Sequence, residues 1–301
     1  MEFQCVTLQD REKMQPFFDA WRLENSELSF TNFFMWRDSC GAAYCIEDGV
    51  LYLQMSYCET CPMELYTPLP LDRSRNFGPI LDKLVDYQRS IGEPFEIRCV
   101  GEPVRARIEE DCPGRFVFTE DRDNFDYLYR SEELISMQGK KLHAKRNHIN
   151  RFLSMYTYEY REYTKEYLEG CWELYTSWYE HKEKAGGPGM DGEPVATRTT
   201  LEYAEELGLK GGVILVDGKV EAFSMGELYR PDMAVIHVEK ANNDLQGLYP
   251  LMCQQFVANA WSGVPFINRE EDMGLEGMRK AKLSLNPCGF VQKYTLRLRE
   301  E

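Results

Sequence analysis

The sequence has no uninterrupted run of about 18 apolar residues, so it contains no candidate transmembrane helix. Residues 1–11 are polar and charged, and they lack the basic head and apolar core of a signal peptide. We therefore expect a cytoplasmic protein whose ten cysteines are reduced thiols packed as small hydrophobic groups. Cys58 and Cys61 have C-x-x-C spacing, but no second pair and no histidines at ligand spacing lie nearby, so no metal site is predicted.

Basic residues are outnumbered, with 35 lysines and arginines against 50 aspartates and glutamates and a formal charge of −15. This charge counts against a protein whose whole surface binds nucleic acid or anionic lipid. The apolar fraction of 43% and the aromatic fraction of 13% supply enough material for hydrophobic cores, which argues against global disorder. The length of 301 residues indicates about two domains.

Corresponding features recur in the two halves of the chain. Alternating apolar segments around the Asp-Gly pairs at 48–49 and 217–218 predict two hairpins, one in each half. Downstream of the hairpins, four pairs of identical residues are separated by one and the same distance along the chain. Four matches at a single offset are hard to obtain by chance, and they indicate an internal duplication. The pairs are Pro79 and Pro250, Pro94 and Pro265, Phe95 and Phe266, and Arg98 and Arg269.

The predicted elements have the same order in both halves: hairpin, strand, helix, strand, helix, strand. The first set lies at 42–57, 63–67, 77–91, 94–100, 102–111 and 115–119, and the second at 212–229, 233–240, 248–262, 265–268, 274–284 and 289–297. Between them we predict strands at 125–130 and 155–162, a basic helix at 131–153, helices at 165–184 and 196–207, and a glycine-rich loop at 186–189. This alternation predicts an α/β fold, with domains over 1–125 and 126–301 whose mixed sheets carry helices on their faces. The element order is that of the GNAT acyltransferase core.

Two segments resemble a known family. They are Gly139-Lys140-Lys141-Leu142-His143-Ala144-Lys145-Arg146-Asn147-His148-Ile149-Asn150-Arg151-Phe152 and Asn268-Arg269-Glu270-Glu271-Asp272-Met273-Gly274-Leu275-Glu276-Gly277, the latter followed by Arg279-Lys280-Ala281-Lys282. Both are similar to the DUF2156 proteins, which share their fold with the C-terminal domain of phosphatidylglycerol lysyltransferases. The resemblance implies two tandem GNAT-like domains, each a mixed twisted sheet flanked by helices, as in the Fem-type peptidoglycan aminoacyltransferases.

The resemblance also implies a transferase. It would move an acyl or aminoacyl group from a phosphate-bearing donor, acyl-CoA or aminoacyl-tRNA, to an amine or hydroxyl acceptor, with no tightly bound cofactor. The acceptor and the oligomeric state stay open. The absence of a membrane-spanning segment counts against a lipid acceptor. The alternative is a non-catalytic ligand-binding or sensor protein that retains the GNAT cleft.

In a GNAT core the donor phosphates meet the turn before the helix that follows the fourth strand, which here is the turn 242–249. A helix N-terminus offers free N–H groups and a partial charge of about +0.5. We therefore expect Gln246, Gly247, Leu248 and Tyr249 to bind the donor. Of the usual Gln/Arg-x-x-Gly-x-Gly/Ala motif, this sequence contains only Gln246-Gly247. The alternative interpretation is that the turn is an ordinary helix cap with no ligand.

In GNAT enzymes a carboxylate on the fourth strand often takes the proton of the amine. Glu239 and His237 are therefore candidate catalytic residues, and strict alternation places them on one face of the strand together with Val235. The first half has no comparable set, so we expect the active site in the second domain and a degenerate copy in the first.

A polar cluster follows the predicted fifth strand, where ligand sites of α/β proteins tend to lie. Arg269, Glu270 and Glu271 are predicted to contact the acceptor, because carboxylates suit a cationic or amino-bearing molecule. Asp272 is a third candidate catalytic residue, or the N-cap of the next helix.

The stretch 134–158 contains no acidic residue. We expect Lys141, Lys145 and Arg146 to bind the phosphates of the donor, or the acceptor arm of a tRNA. A solvated helix face is the alternative. The stretch lacks interleaved aromatic residues of the kind that stack unpaired bases, which favours a local phosphate site over a broad nucleic-acid track.

Overall fold

A computed structural model describes residues 1–56, 61–184 and 192–299. Cys58 and the predicted loop at 186–189 lie outside the described residues. Cys61 is disulfide-bonded, so the expectation that every cysteine is a reduced thiol is wrong at this position. Within the described part of the chain, no helix is long and apolar enough to cross a membrane. The chain divides into two compact units, Met1–Phe125 with Val291–Glu301, and Asp126–Phe290.

The described residues contain fifteen strands. In chain order they are Gln4–Cys5 (β1), Ala43–Glu47 (β2), Val50–Met55 (β3), Glu64–Tyr66 (β4), Leu69–Pro70 (β5), Glu96–Gly101 (β6), Phe116–Glu120 (β7), Asp126–Arg130 (β8), Tyr158–Glu162 (β9), Lys210–Val216 (β10), Lys219–Arg230 (β11), Met233–Ala241 (β12), Phe266–Asn268 (β13), Gly289–Val291 (β14) and Lys293–Leu298 (β15).

The α-helices of the same residues flank these strands. They are Arg11–Trp21 (α1), Phe30–Met35 (α2), Arg37–Cys40 (α3), Phe77–Ser90 (α4), Glu102–Asp111 (α5), Ser131–Ser136 (α6), His143–Met155 (α7), Leu168–Lys184 (α8), Glu193–Glu202 (α9), Leu248–Ala260 (α10) and Glu276–Leu283 (α11). Short 3-10 helices lie at Leu8–Asp10, Arg122–Asn124 and Lys165–Tyr167.

The strands form two mixed sheets with matching strand orders. The first sheet runs β1-β2-β3-β4-β6-β15-β7, with β5 beside β3, and the second runs β14-β8-β13-β12-β11-β10-β9. The series β2-β3-β4-β6 thus corresponds to β10-β11-β12-β13. This architecture confirms the two tandem GNAT-like domains, each a mixed sheet flanked by helices.

β8 joins the second sheet, to whose unit it belongs, whereas the last strand of the chain, β15, joins the first sheet. β8 pairs antiparallel with β13 in the second sheet, and β15 pairs antiparallel with β6 and β7 in the first. The strand predicted at 289–297 is therefore wrong as a single element, and residues from Val291 onward group with the first unit instead of the expected range 126–301. The apolar pattern identifies a strand, but it carries no information on which sheet the strand joins.

The predicted hairpins are confirmed. Both turn at an Asp-Gly pair with positive φ at both residues, 52° and 70° at 48–49 and 51° and 78° at 217–218, as a type I′ turn requires. The basic helix predicted at 131–153 is wrong as one element, because the chain leaves the helical conformation at Met137, where φ is +48°. It forms α6 and α7 instead.

In the second unit, α10 packs on β10, β11 and β12 and also contacts α6 and α7, while α8 packs on β11 and β12. The core between the sheet and α10 contains Ala234, Ile236, Ala241, Met252 and Phe256, all buried. This packing fixes α10 and α7 against the sheet and brings the turn before α10 to the carboxyl end of β12.

Candidate active site

The central parallel strands of the second sheet separate at their carboxyl ends. β12 and β13 pair from Met233 and Phe266 as far as Val235 and Asn268. β12 then continues to Ala241, whereas β13 ends at Asn268. The diverging segments, 236–241 and 269–274, carry most of the predicted catalytic and acceptor-binding residues. Ligand sites of open α/β sheets lie at such places.

A β-bulge in β12 decides which way these side chains point. Met225 lies opposite Val238 and Gly226 opposite Ile236, so His237 is the extra residue. A Cβ on Gly226 would lie 2.3 Å from the carbonyl oxygen of Val235, so only glycine allows this close approach of the two strands.

The bulge separates two residues that were expected on one face. Ile236 before it and Ala241 after it belong to the same core under α10, although strict alternation would put them on opposite faces. Glu239 therefore lies on the α10 side. Lys240 points toward α8, where its ammonium lies 2.7 Å from Glu193 and 3.9 Å from the ring centre of Trp178. The expectation that His237 and Glu239 share one face is wrong, because the alternation of a strand breaks at a bulge.

Glu239 and Arg269 form a buried ion pair on the α10 side. Nη2 of Arg269 lies 2.5 Å from Oε1 of Glu239, and only 7% of the Glu239 side chain is exposed. The hydroxyl of Ser224 donates to the other carboxylate oxygen at 3.4 Å. Burial raises the pKa of Glu239, and the charge of Arg269 opposes that shift. The result is a carboxylate more basic than an ordinary surface glutamate.

His237 lies on the other side of β12, between two carboxylates. Nδ1 contacts Glu270 at 2.8 Å, Nε2 contacts Glu227 at 3.0 Å, and the side chain is fully buried. Burial alone would lower the pKa of His237, but the two hydrogen bonds raise it to about 10. The ring is therefore an imidazolium at neutral pH, with both nitrogens engaged, and is not poised to accept a proton.

Asp272 is held by its own neighbours. Its carboxylate accepts from Arg279 at 2.7 and 2.8 Å, from the Tyr127 hydroxyl and from the backbone N–H of Gly274 at 2.9 Å. Burial would raise the pKa of Asp272, but the hydrogen bonds from Arg279 and Tyr127 lower it to about 2. This arrangement fits a residue that shapes the loop better than one that takes up a proton.

Lys282 fixes the same loop through its backbone. The ammonium donates to the backbone carbonyl of Arg269 at 2.5 Å and to that of Glu271. Burial lowers the pKa of Lys282 to about 8. Since Glu270 has φ +57° and is held by His237, the predicted acceptor cluster is a rigid turn with most of its charges already compensated.

The predicted donor turn leads into α10 with Gly247 as its N-cap. Gly247 has φ +99°, and a Cβ there would lie 2.2 Å from the carbonyl oxygen of His148 in α7. This glycine is thus required for packing of the turn against α7, whatever the turn binds. Gln246 is exposed, Leu248 is fully buried, and burial raises the pKa of Tyr249, which lies near Glu239.

The three basic residues predicted to bind the donor phosphates have different surroundings. Lys141 is exposed just before the helix. Arg146 donates to the carbonyl of Met137 at 2.6 Å, so it supports the preceding loop. Lys145 is half-buried; burial and then the charge of Arg269 lower its pKa. Lys145 thus lies within the range of the charge of Arg269.

Sequence reasoning missed Glu227, Tyr127, Arg279 and Lys282. The last two stand in the segment that resembles the family signature, one turn apart on one face of α11, and this spacing was the available signal. Glu227 and Tyr127 come from strands whose register no local pattern specifies.

Comparisons with known proteins agree with this fold. The family model described as phosphatidylglycerol lysyltransferase, C-terminal, matches residues 19–297. A crystal structure of a conserved protein of unknown function from Bacteroides thetaiotaomicron is 33% identical, with a TM-score of 0.88, over 99% of this chain and 100% of that one. The C-terminal domain (DUF2156) of a putative lysylphosphatidylglycerol synthetase from Agrobacterium fabrum is 12% identical, with a TM-score of 0.64, over 96% of this chain and 92% of that one.

Two further proteins are similar to this chain. A tandem GNAT protein from the clavulanic acid biosynthesis pathway is 10% identical, with a TM-score of 0.51, over 98% of this chain and 97% of that one, which supports the fold alone. An uncharacterised protein of Mycoplasmoides gallisepticum is 23% identical over 193 residues, and the match spans 58% of this chain and only 56% of that relative. The family match over nearly the whole chain confirms the resemblance of the two signature segments: the protein belongs to the phosphatidylglycerol lysyltransferase C-terminal (DUF2156) family.

Proposed function

We propose that the second unit transfers an acyl or aminoacyl group from a phosphate-bearing donor, acyl-CoA or aminoacyl-tRNA, to an amine or hydroxyl acceptor. The observation that carries the proposal is the buried Glu239–Arg269 pair at the separated ends of β12 and β13. It combines a carboxylate of raised pKa with a fixed cation in a family whose members include transferases.

Glu239 is the base that the geometry favours. His237 is fully buried between two carboxylates, and hydrogen bonds from Arg279 and Tyr127 lower the pKa of Asp272 to about 2, whereas burial raises the pKa of Glu239. In the proposed step the acceptor nitrogen or oxygen attacks the carbonyl carbon of the acyl group, and its proton passes to Glu239. The bond from that carbon to the donor oxygen or sulfur breaks, and the proton leaves with the donor hydroxyl or thiol.

The donor is proposed to bind between the turn before α10 and the basic residues around α7. Among the described residues, no side chain caps the N-terminus of α10. The N–H of Leu248 donates to the Leu245 carbonyl and Pro250 has no N–H, so the N–H of Tyr249 is the one offered to a ligand by the first three helical residues. Three cations near α7 are exposed, and none of them forms an ion pair with a residue that the structure describes: Lys140, Lys141 and Arg151. Free cations in a chain of net charge −15 suit a phosphate-bearing molecule.

The acceptor is proposed to be neutral or weakly cationic. Glu270, one of the two carboxylates first assigned to it, is held by His237, and the neighbouring Asp272 is held by Arg279. The loop 269–274 would then orient the acceptor through its backbone and shape.

The test is a transfer assay on the full chain. Acetyl-CoA, longer acyl-CoAs and aminoacyl-tRNA are each offered with a panel of amines and alcohols, and products are identified by mass spectrometry. We expect one donor class to give a covalent product. If donors bind, as shown by a shift in thermal unfolding, and no product forms with any acceptor, the sensor alternative replaces the transferase.

A further inference from the structure

β9 forms one edge of the second sheet, and one side of its backbone has no strand partner among the described residues. The N–H of Tyr163 donates to the carbonyl of Gly211, so the odd-numbered residues of β9 direct their main-chain groups at β10. The main-chain groups of Tyr158, Tyr160 and Glu162 therefore point away from the sheet. An unpaired row of this kind is a template for another strand.

The edge lacks the features that usually protect such strands, which are short length, proline, lysine and bulges. β9 has five residues, contains neither proline nor lysine, and pairs with β10 without a register shift. The opposite edge of the same sheet, β14, has three residues. In the first sheet β1 has two residues, and the Phe116 carbonyl of the edge strand β7 accepts from Arg299 at 3.5 Å.

The exposed side chains of β9 carry opposite charges on one face. Glu159 and Arg161 are 59% and 55% exposed and contact each other at 2.5 Å. In an antiparallel pair of two β9 strands centred on Tyr160, Glu159 of each copy lies directly opposite Arg161 of the other. The outward main-chain groups of Tyr158 and Glu162 meet in the same register. A centre at Glu159 or at Arg161 places like charges opposite each other, so the charge pattern selects the centre at Tyr160.

We propose that β9 pairs antiparallel with β9 of a second copy of this chain, centred on Tyr160, so that two second sheets become one continuous sheet. This pairing satisfies the outward main-chain groups of both strands and forms an ion pair on each side of the two-fold axis. The last turn of α7, directly before β9, adds apolar surface, since Leu153 and Met155 are 46% and 59% exposed. The inference concerns self-association and does not depend on the proposed transfer.

The experiment is sedimentation velocity of the full chain over about 1–300 µM, because an edge-to-edge contact is small and its affinity modest. We expect a reversible monomer–dimer equilibrium, half formed at about 10–100 µM. Arg161→Glu and Glu159→Arg each turn both cross-strand ion pairs into like-charge pairs and should weaken the dimer at least about 10-fold. The double variant with both changes exchanges the charges, restores both pairs and should associate within about threefold of the original protein.

A mixture of the two single variants gives the sharpest result. The Glu159→Arg chain presents two cations to the two carboxylates of the Arg161→Glu chain, so we expect a heterodimer at concentrations where each variant alone is monomeric. Glu159→Arg also lowers the net negative charge of the chain, so a weaker dimer in this variant cannot come from general repulsion. Arg89→Glu, which reverses an arginine that is 73% exposed in α4, is the matched control, with unchanged association expected.

The proposal is overturned if the original protein stays monomeric over the whole range, or if Arg89→Glu weakens the dimer as much as Arg161→Glu does. A dimer that both single variants leave unchanged would lie on another surface and would also reject the β9 edge, as would a mixture of the two single variants that fails to associate. Circular dichroism and thermal unfolding of each variant show whether it is folded.

Discussion

The two units use equivalent helix starts in opposite ways. Position 76 in the first unit matches position 247 in the second, at the offset that also relates Pro79 to Pro250. At α4 the Asn76 side chain accepts from the N–H of Gly78 at 2.8 Å, and the Asp111 carboxylate accepts from the N–H of Phe77 at 2.9 Å. At α10 the N-cap is Gly247, without a side-chain cap from the described residues. The first helix start is therefore capped by two side chains, one of them anionic, whereas the second has no side-chain cap from the described residues.

The matched arginines differ in the same sense. Arg98 is surrounded by three carboxylates, those of Glu64, Glu96 and Asp121, at 2.9 to 3.3 Å. Arg269 has Glu239 as its ion-pair partner and Lys145 as a neighbour. The residue after each arginine is left-handed, with φ +56° at Cys99 and +57° at Glu270. A common backbone design thus holds an arginine with three carboxylate partners in one unit and an arginine with one in the other.

The largest effect on stability and turnover is expected from substitution of the two matched arginines, Arg269 and Arg98. Arg269→Gln leaves Glu239 as an unpaired buried charge, which should cost about 3–5 kcal/mol in free energy of unfolding and abolish transfer. Arg98→Gln removes a partly exposed cation that three carboxylates share, so we expect a loss of about 1–3 kcal/mol with turnover unchanged. Urea unfolding and the transfer assay, applied to both variants, measure the two effects. Equal losses of turnover would show that the units are functionally alike.

The second effect concerns His237, which compensates two carboxylates in the second unit much as Arg98 compensates three in the first. His237→Gln leaves two carboxylates facing each other and should lower the free energy of unfolding by about 3 kcal/mol at pH 6. The pKa of His237 is raised to about 10 in the folded protein, compared with about 6.5 for an ordinary histidine. The protonated ring therefore contributes fully to the free energy of unfolding below about pH 6.5, and this contribution is lost as the pH rises through 10.

The measurement for His237 is urea unfolding at pH 6, 8 and 10. The difference between variant and original protein should shrink toward pH 10. His148→Gln, at an exposed histidine of the same unit, is the control and should change little at any pH. A difference that grows with pH would contradict the imidazolium assignment.

The smallest effect is expected from substitution of the two N-cap residues, Gly247 of α10 and Asn76 of α4. Gly247→Ala adds a Cβ at a positive φ and 2.2 Å from the His148 carbonyl, and should cost about 2–4 kcal/mol while weakening donor binding. Asn76→Ala removes a cap and should cost about 1 kcal/mol without affecting the donor. Thermal unfolding gives the stabilities, and donor titration gives the affinities. A donor affinity that falls in Asn76→Ala would place part of the donor site in the first unit.

Local patterns in the sequence were enough for the architecture. The Asp-Gly turns, the prolines at 79 and 250 and the common offset between matching residues predicted the hairpins, the helices and the tandem arrangement. The insertion of β15 into the first sheet was not predictable, because pairing partners distant in sequence leave no local signal.

The sequence predicted which residues belong to the candidate site, but it did not predict how they are arranged. Glu239, Arg269 and Lys145 were singled out, yet they were assigned to three separate roles. The bulge at His237, which turns Glu239 toward α10, depends on how closely Gly226 approaches Val235, and that contact is invisible in a pattern of alternating residues. Similarly, the sequence alone is compatible with Asp272 as a general base or as a helix cap. The structure shows that its carboxylate accepts hydrogen bonds from Arg279 and Tyr127.

The central claim is that the transfer chemistry belongs to the second unit and depends on Glu239. The most direct measurement is the single-turnover rate of acyl transfer in Glu239→Gln and in Glu64→Gln, which removes a carboxylate that contacts Arg98. A general base typically contributes about 10²–10⁴ in rate, so Glu239→Gln should lose at least about 100-fold while Glu64→Gln keeps the original rate. Full activity in Glu239→Gln, or an equal loss in Glu64→Gln, would contradict the account.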